Sequence, residues 1–453
     1  MPAKPRKPNT RPAPAGLAAR ELAIRLVAGV LIHKRPFDQV LEHASARPEF
    51  THLEPRDRAL ARAIAAAVLR RLGELEVVLN AFLEHPLPRD QGNLWPILLT
   101  GAAQLVALGM APHAVVDLAV ETTRRDRGAQ RFAKLVNAVL RRVAERGAAL
   151  VSDQDRVRLN VPDWLWQRWS AAYGANTAHR IAEASLAEAA LDLSVKADPA
   201  LWAERLGGVL LPTGSIRLAA HGRIEDLPGY AEGAWWVQDA AAALVARVAG
   251  DVAGRTAADL CAAPGGKTAA LAAAGARVTA VDVSAPRLGR LRANLDRLQL
   301  AAEVIEADAA RWSPGRTFDV VVLDAPCTAT GTIRRHPDIL RLKQPGDVAR
   351  MAELQRAMLA NAATLVGPGG LLVYSTCSLE PEEGPAQVGP FLAAHSQFER
   401  VPIAAAEIAA DATWLTAHGE LRTLPHHMFH VEQLPAGLAG IDGFFVARLR
   451  RVS

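Results

Sequence analysis

The second half of the chain alternates short apolar runs with helical stretches, and this alternation limits the possible folds more than any other feature. From Trp236 onward, strands are predicted at 257–261, 278–282, 303–307, 318–324, 370–376 and 443–449. Helical patterns separate most of them, including 286–298 and 348–365. Such alternation builds an α/β fold with a doubly wound, mostly parallel sheet. Ligands of these sheets bind beyond the carboxyl ends of the strands, where we therefore expect the functional residues.

The first predicted strand leads into a glycine-containing turn, DLCAAPGGKT at 259–268. Paired glycines let the backbone approach a ligand closely, with the N-terminus of a helix behind it. The phosphate-binding patterns GxGxxG and GxxxxGK[ST] do not occur there, which counts against NAD and ATP. Backbone N–H groups suit a cofactor that carries an amino-acid carboxylate. The candidate cofactor residues of this turn are Cys261, Ala262, Ala263, Pro264, Gly265, Gly266 and Lys267.

Three successive strands close on an acid, at Asp282, Asp308 and Asp324. Asp282 stands seventeen residues after Gly265, where a carboxylate commonly binds the hydroxyls of an adenosine ribose. Asp308 is placed to contact an adenine edge. Each acid alone could be a helix cap, but together with the glycine turn they indicate S-adenosylmethionine as the cofactor.

The chain has three cysteines, Cys261, Cys327 and Cys377. Three cysteines cannot form a closed disulfide framework, and no C-x-x-C pair indicates zinc. Cys327 and Cys377 follow the fourth and fifth predicted strands, which should be neighbours, so both thiols can face one pocket. A thiolate that attacks carbon 6 of cytosine makes carbon 5 able to accept a methyl group. Such a thiolate needs a nearby cation, for which Lys267 is a candidate, but these residues leave open which thiol attacks.

The front half of the chain is basic. Residues 1–150 carry 23 Lys and Arg against 14 Asp and Glu, whereas the remainder carries 29 against 33. This asymmetry favours a polyanion partner, although a solvated helical surface would look the same. Residues 1–16, with five prolines and four basic residues, are predicted to be a disordered basic tail. Apolar residues at three- and four-residue spacing predict an all-α domain over 17–150.

Residues 151–235 are predicted to be a small α/β connector, with a strand at 191–196. Its tryptophans Trp164, Trp166 and Trp169 are assigned to a core rather than to base stacking. Charged residues interrupt every apolar run, so no membrane span is expected. The N-terminus lacks the apolar core of a secretory signal. We expect a bacterial-type cytoplasmic protein, with no obligate protein partner evident.

Three segments resemble the signatures of a known family, the Sun/RsmB group of bacterial RNA cytosine-C5 methyltransferases that modify small-subunit ribosomal RNA. They are DLCAAPGGKT, VLDAPCTATGTIRRHPD at 322–338 and LVYSTCSLEPEE at 372–383. WVQDAAA at 236–242 and DGFFVARL at 442–449 resemble the start and the closing strand of its catalytic domain. The segments at 59–79 and 111–143 resemble the attached NusB-type RNA-binding domain. The resemblance implies a NusB-like domain over 17–150 and a Rossmann-like class I methyltransferase domain over 236–453.

The resemblance also implies residue roles. Cys377 would attack carbon 6, and Cys327 would help release the enzyme after methylation. Asp324 would contact the cytosine edge and lie near the methionine part of the cofactor, with Lys267 also in the catalytic set. The turn at 261–267, Asp282 and Asp308 would complete the cofactor site. The NusB-like domain favours 16S ribosomal RNA as the partner and substrate.

Two alternatives stay open. The substrate could be transfer RNA, or the chain could be an RNA-binding assembly or antitermination factor with a vestigial catalytic domain. The intact pair of Cys327 and Cys377 speaks against the vestigial alternative. Departures from the family pattern are few: Thr328 replaces a common Ser, and 424–441 is longer than expected. The histidines of that stretch (His426, His427 and His430) are predicted to lie in a solvated loop, and no metal is expected.

Overall fold

The computed structural model describes residues 14–88, 90–152, 154–219, 222–428, 434 and 438–452. The predicted basic tail lies outside these residues except for 14–16. The chain divides into two compact units, one formed by Met1–Val161 with Leu340–Leu342 and the other by Pro162–Ile339 with Lys343–Ser453. No helix in the described part of the chain combines the length and the apolar character needed to cross a membrane.

The first unit is helical, as predicted. Its helices are α1 (Leu17–Leu31), α2 (Phe37–Ser45), α3 (Pro48–Thr51), α4 (Pro55–Arg70), α5 (Leu72–Asn80), α6 (Leu94–Ala102), α7 (Pro112–Arg125), α8 (Ala133–Ser152) and α9 (Arg156–Asn160). Leucines and valines spaced three and four apart on these helices point into one core, and Leu22, Leu26, Leu75 and Leu98 are fully buried there. Arg341 belongs to this unit and donates hydrogen bonds to the carbonyls of Leu69 and Asn160.

The second unit contains two sheets. The smaller one is antiparallel, with strand order β2-β3-β1-β4. Its strands are β1 (Leu191–Val195), β2 (Val209–Leu210), β3 (Ile216–Leu218) and β4 (Trp235–Val237). Helices α10 (Asp163–Tyr173), α11 (Ala175–Leu186) and α12 (Pro199–Leu206) accompany it in the chain. A buried ion pair of 2.7 Å joins Asp192 on β1 to Arg217 on β3. Asp192 also accepts the backbone N–H of Ala240, which opens the next helix.

The larger sheet has eight strands, and seven of them follow the order β10-β12-β9-β8-β5-β6-β7, with β11 paired to β12. These strands are β5 (Thr256–Leu260), β6 (Arg277–Asp282), β7 (Ala302–Glu306), β8 (Phe318–Asp324), β9 (Val366–Thr376), β10 (Phe398–Arg400), β11 (Leu421–Arg422) and β12 (Phe445–Arg451). Along this part of the chain the helices are α13 (Ala240–Val248), α14 (Gly266–Ala273), α15 (Ala285–Leu298), α16 (Ile339–Leu342), α17 (Pro345–Leu365), α18 (Pro385–Ala394) and α19 (Ala405–Ile408). Of α16, only Ile339 belongs to the second unit. Strands β5 to β9 pair in parallel, and β12 pairs antiparallel to β9.

Alternate residues of the central strands pack on opposite faces of this sheet. On β8, Val320 and Val322 lie in the core that includes α13. Val321 and Leu323 lie in the core that includes α17. Helices therefore cover both faces, and the predicted doubly wound, mostly parallel sheet is confirmed. The order β9-β8-β5-β6-β7 places the carboxyl ends of five consecutive parallel strands in one row.

Candidate active site

The turn after β5 has the backbone geometry of a ligand cradle. Cys261 adopts φ 62° and Gly265 adopts φ 104°, both in the left-handed region. A Cβ at Gly265 would lie 3.0 Å from the side chain of Leu291, so only glycine fits without strain. Helix α14 starts at Gly266 without a side-chain cap, which leaves N–H groups of its first turn free to bind a carboxylate.

Hydrogen bonds to the carboxylate of Asp282 join this turn to the end of β6. Its carboxylate is 2% exposed and accepts the backbone N–H of Ala263 at 3.1 Å and of Ser284 at 3.0 Å. Arg287 lies 3.4 Å from the same carboxylate. Asp308 is exposed after β7, at the opposite end of the row from β9, and accepts the N–H of Ala310 at 2.9 Å. The predicted cofactor residues thus line the carboxyl ends of β5, β6 and β7.

Lys267 and Asp324 form an ion pair of 2.6 Å between the turn and the end of β8. The hydroxyl of Ser375 donates to the other oxygen of Asp324 at 3.0 Å. Burial lowers the pKa of Lys267, but Asp324 and Asp259 outweigh burial and raise it, so Lys267 keeps its charge. Its ammonium also lies 5.5 Å from the ring centre of Phe444. A fixed positive charge therefore stands at the strand ends.

The structure brings the two predicted thiols into contact. The sulfurs of Cys327 and Cys377 are 3.4 Å apart, beyond the paired residues Asp324 and Ser375 of β8 and β9. The hydrogen bond to Cys377, burial and the charge of Glu383 raise the pKa of Cys327 well above its usual value. Cys327 therefore holds its proton and can donate it toward the sulfur of Cys377.

Cys377 lies within electrostatic range of two cations. One is Lys267, as the sequence suggested, and the other is Arg335, which the sequence analysis did not single out. Arg335 donates to the buried carboxylate of Asp442 at 2.7 Å. Burial raises the pKa of Asp442 to about 6, against the opposing effect of Arg335. Two positively charged side chains therefore lie within electrostatic range of the sulfur of Cys377.

The residues missed by the sequence analysis share a recognisable signal. Arg335, Glu380 and Glu383 are charged residues inside the two cysteine-containing segments, and each takes part in a hydrogen bond that is buried or partly buried. Glu380 accepts the indole N–H of Trp169 at 3.2 Å and is also bound by Arg168. A charged group that folding removes from water needs a hydrogen-bond partner inside the protein, so charged residues next to the two cysteines are expected to have one.

The histidine-containing stretch differs from the predicted solvated loop where the structure describes it. His427 stacks on Trp414 at 5.1 Å between ring centres, and His426 packs edge-on against His427. Burial lowers the pKa of His427 to about 3, with a smaller contribution from His426. His430 lies outside the described residues. Within the described residues, no group of three His, Cys, Asp or Glu side chains could hold a metal ion.

Replacing Asp259 with Asn is expected to flatten the pH dependence of stability. Burial raises the pKa of Asp259 from 3.8 to about 7, and its Oδ1 has no hydrogen-bond partner among the described residues. Since the folded state holds this proton more tightly, the free energy of unfolding should fall as pH rises from about 4 to about 7, by on the order of 4 kcal/mol. The asparagine of Asp259→Asn cannot ionise, so this variant does not lose stability as the pH rises. At pH 8 it should unfold at a higher denaturant concentration than the unmodified protein.

Denaturant titrations at pH 4, 6 and 8 measure this effect. The exposed Asp251 provides the control, because Asp251→Asn should leave the profile unchanged. If the free energy of unfolding of Asp259→Asn changes with pH as steeply as that of the unmodified protein, Asp259 does not titrate in this window.

Two family descriptions match this chain. Residues 251–450 match "16S rRNA methyltransferase RsmB/F", and residues 17–145 match the NusB family. The crystal structure of PH0851 superposes over 97% of this chain and 100% of its own, with a TM-score of 0.75 and 22% identity. A methyltransferase homolog protein from Pyrococcus horikoshii covers 66% of this chain and 96% of its own, with a TM-score of 0.52 and 25% identity. These structures show the same fold.

Curated relatives match over most of the length. Ribosomal RNA small subunit methyltransferase B of Sodalis glossinidius is 36% identical over 95% of this chain and 97% of its own. The protein of that name from Vibrio cholerae is 39% identical over 75% of this chain and 82% of its own. With the glycine turn, the Lys267–Asp324 pair and both thiols in place, this chain belongs to the RsmB/F family of 16S rRNA methyltransferases.

Proposed function

We propose that this protein transfers a methyl group from S-adenosylmethionine to carbon 5 of a cytosine in 16S ribosomal RNA, with Cys377 as the nucleophile. The observation that carries the proposal is the pair of thiols 3.4 Å apart beside the Lys267–Asp324 ion pair. Membership of the RsmB/F family supports the reaction and the substrate. A ribosomal RNA substrate supports the proposal that the enzyme acts in the cytoplasm.

The thiolate of Cys377 would attack carbon 6 of the cytosine, and the electron pair of the double bond would move onto carbon 5 as ring nitrogen 3 takes a proton. Lys267 and Arg335 hold positive charge near the attacking sulfur. Asp324, fixed by Lys267 and Ser375, would contact the polar edge of the base. The base must leave its stack to reach this pocket.

Release reverses the addition. Carbon 5 would lose its proton to solvent water, the pair would re-form the ring double bond as the bond between carbon 6 and the sulfur of Cys377 breaks, and nitrogen 3 would give up the proton that it took. Cys327 is placed to assist because its thiol contacts the sulfur that leaves. Its raised pKa keeps it protonated while Cys377 is the attacking thiolate. The two thiols thus have different tasks at one site.

The residues at the strand ends fit S-adenosylmethionine. The uncapped N-terminus of α14 and the glycine turn suit its carboxylate, and Asp282 and Asp308 lie where the ribose and adenine would be bound. When bound, the cofactor supplies an electrophilic methyl group. The chain's own residues hold it in place and bring the activated carbon 5 toward it.

The helical unit would bind the RNA. The buried residues of α8, among them Val136 and Leu140, face the core, whereas Lys134, Arg141 and Arg142 are exposed. An exposed row of cations on one helix suits a phosphate backbone. Membership of this region in the NusB family supports the assignment.

Replacing both Lys134 and Arg141 with Ala is expected to weaken RNA binding and reduce its salt dependence. The logarithm of the binding constant falls as the logarithm of the salt concentration rises. Each lost phosphate contact should make this negative slope shallower by about 0.7 to 0.9. Filter binding of 16S RNA over a range of salt concentrations measures this slope. Glu145→Gln is the matched control, since Glu145 is exposed on the same helix but carries the opposite charge. Equal slopes in the double variant and the unmodified protein would contradict a role for α8.

The proposed function is tested by mapping 5-methylcytosine in total RNA from cells with and without this protein. We expect one cytosine of 16S ribosomal RNA to lose its methyl group when the protein is absent. Loss of the mark from transfer RNA instead would support the transfer RNA alternative. If no RNA changes, titration with S-adenosylmethionine decides the remaining alternative, because a vestigial assembly factor should not bind the cofactor.

A further inference from the structure

The carboxylate of Glu383 lies between the two segments that carry the thiols. Glu383 is 0% exposed. Its Oε1 accepts the backbone N–H of Thr328 at 2.9 Å, and its Oε2 accepts the hydroxyl of Ser378 at 2.5 Å. Thr328 follows Cys327 directly, and Ser378 follows Cys377. One side chain therefore joins the residues next to both sulfurs.

Further bonds hold this side chain in place. The amide of Gln355 donates to Oε1 at 3.1 Å, and the hydroxyl of Thr328 donates to Oε2. Four donors around two oxygens match an ionised carboxylate, which only accepts. The backbone carbonyl of Glu383 accepts the hydroxyl of Tyr374 at 2.8 Å and that of Thr376 at 3.0 Å, both on β9. Glu383 is thus fixed to β9 and to both thiol segments.

We propose that Glu383 is a positioning residue that sets the separation of the Cys327 and Cys377 sulfurs and so allows Cys327 to release the adduct that Cys377 forms. The inference rests on the proposed function for the identity of that adduct. The spacing itself is a property of the protein without RNA or cofactor. Glu383 acts through the two thiol segments, and its negative charge adds to the effects that keep Cys327 protonated.

Two substitutions separate spacing from charge. In Glu383→Gln, the amide oxygen can accept from Thr328 and Gln355, and the amide nitrogen can donate to the hydroxyls of Thr328 and Ser378, which rotate to accept. Glu383→Gln therefore keeps the hydrogen bonds to both thiol segments and loses only the negative charge. Glu383→Ala removes the links as well as the charge.

The spacing is tested with diamide, which takes two electrons and two protons from a pair of thiols in reach and leaves a disulfide. The rate at which the peptide linking Cys327 to Cys377 appears, followed by mass spectrometry, reports the separation. We expect Glu383→Gln to cross-link at least as fast as the unmodified protein and Glu383→Ala to cross-link tenfold or more slowly. Glu420→Ala is the matched control, because it removes another buried carboxylate, bound to Arg400 and Thr416, and should cross-link at the unmodified rate.

If Glu383→Ala does not fold, as judged by its thermal unfolding, Ser378→Ala replaces it. That substitution removes the link from Glu383 to the segment after Cys377, together with the contacts of the Ser378 hydroxyl with Thr328, Thr330 and the backbone N–H of Glu380. Cross-linking should slow severalfold. Cross-linking at the unmodified rate in a folded Glu383→Ala or in Ser378→Ala overturns the proposal.

Activity provides the second measurement. With 16S RNA and cofactor, folded Glu383→Ala should lower kcat with little change in the KM for S-adenosylmethionine, and should accumulate protein–RNA adduct. A raised KM with no adduct would show only a general loss of structure and would overturn the positioning role. Failure of the unmodified protein to methylate 16S RNA would contradict the proposed function, while the cross-linking rates would still decide the spacing.

Discussion

Cys377→Ala is expected to abolish methylation and to form no covalent adduct with RNA. Cys377 is the proposed nucleophile, and Lys267 and Arg335 lie within electrostatic range of its sulfur. Without a sulfur in this position, carbon 6 is not attacked and carbon 5 stays a poor nucleophile. We expect the methylation rate to fall by roughly a thousandfold or more. Single-turnover transfer of a labelled methyl group to 16S RNA measures the loss.

The control is the affinity for S-adenosylmethionine, measured by calorimetry. Cys377 lies after β9, whereas the proposed cofactor residues lie at the ends of β5, β6, β7 and β8, so affinity should stay within about twofold. A Cys377→Ala protein that still methylates at a measurable fraction of the normal rate would rule out Cys377 as the nucleophile.

Cys327→Ala is expected to trap the intermediate. Attack by Cys377 and methyl transfer need no thiol at position 327, but release loses the group that contacts the departing sulfur. A protein–RNA species should therefore build up in the presence of cofactor and survive denaturing electrophoresis. Multiple-turnover methylation should slow by roughly a hundredfold or more, in the range usual for the loss of one proton-transferring group.

The double variant Cys327→Ala/Cys377→Ala is the matched control, because the trapped species should vanish when the attacking thiol is also absent. Swapped behaviour of the two single variants would make Cys327 the nucleophile. Full activity in both would mean that the thiols are structural and that the reaction proceeds without a covalent bond to the protein.

The fold of the second unit could be predicted because each strand is a short apolar run with a clear end. The predicted strand at 318–324 is β8 itself, and the other parallel strands differ by a few residues at their ends. The same regularity allowed the location of the candidate residues to be predicted, because parallel strands have their carboxyl ends in one row. Chain order alone therefore brought the glycine turn, Asp324 and both thiols together.

The buried bonds that hold the site could not be predicted in this way. Glu383 binds Thr328, and Arg335 binds Asp442, across long stretches of chain that show no periodicity. Leu340–Leu342 belongs to the helical unit although it follows the fourth parallel strand. His427 packs on Trp414 instead of facing solvent. Each of these depends on tertiary packing, to which local sequence patterns are insensitive.

The position of β12 has a consequence for the order in which the enzyme matures during synthesis. This strand is the last along the chain among the described residues, yet it lies between β9 and β10. The residues just before it supply Asp442, which binds Arg335, and Phe444, which lies beneath Lys267. A growing chain that ends before Asp442 has both thiols but lacks these partners of the cations near Cys377. The charged surroundings of Cys377 should therefore be complete only after residues 442–451 have been made, so a growing chain that ends before them would not form adducts with the RNA around its ribosome.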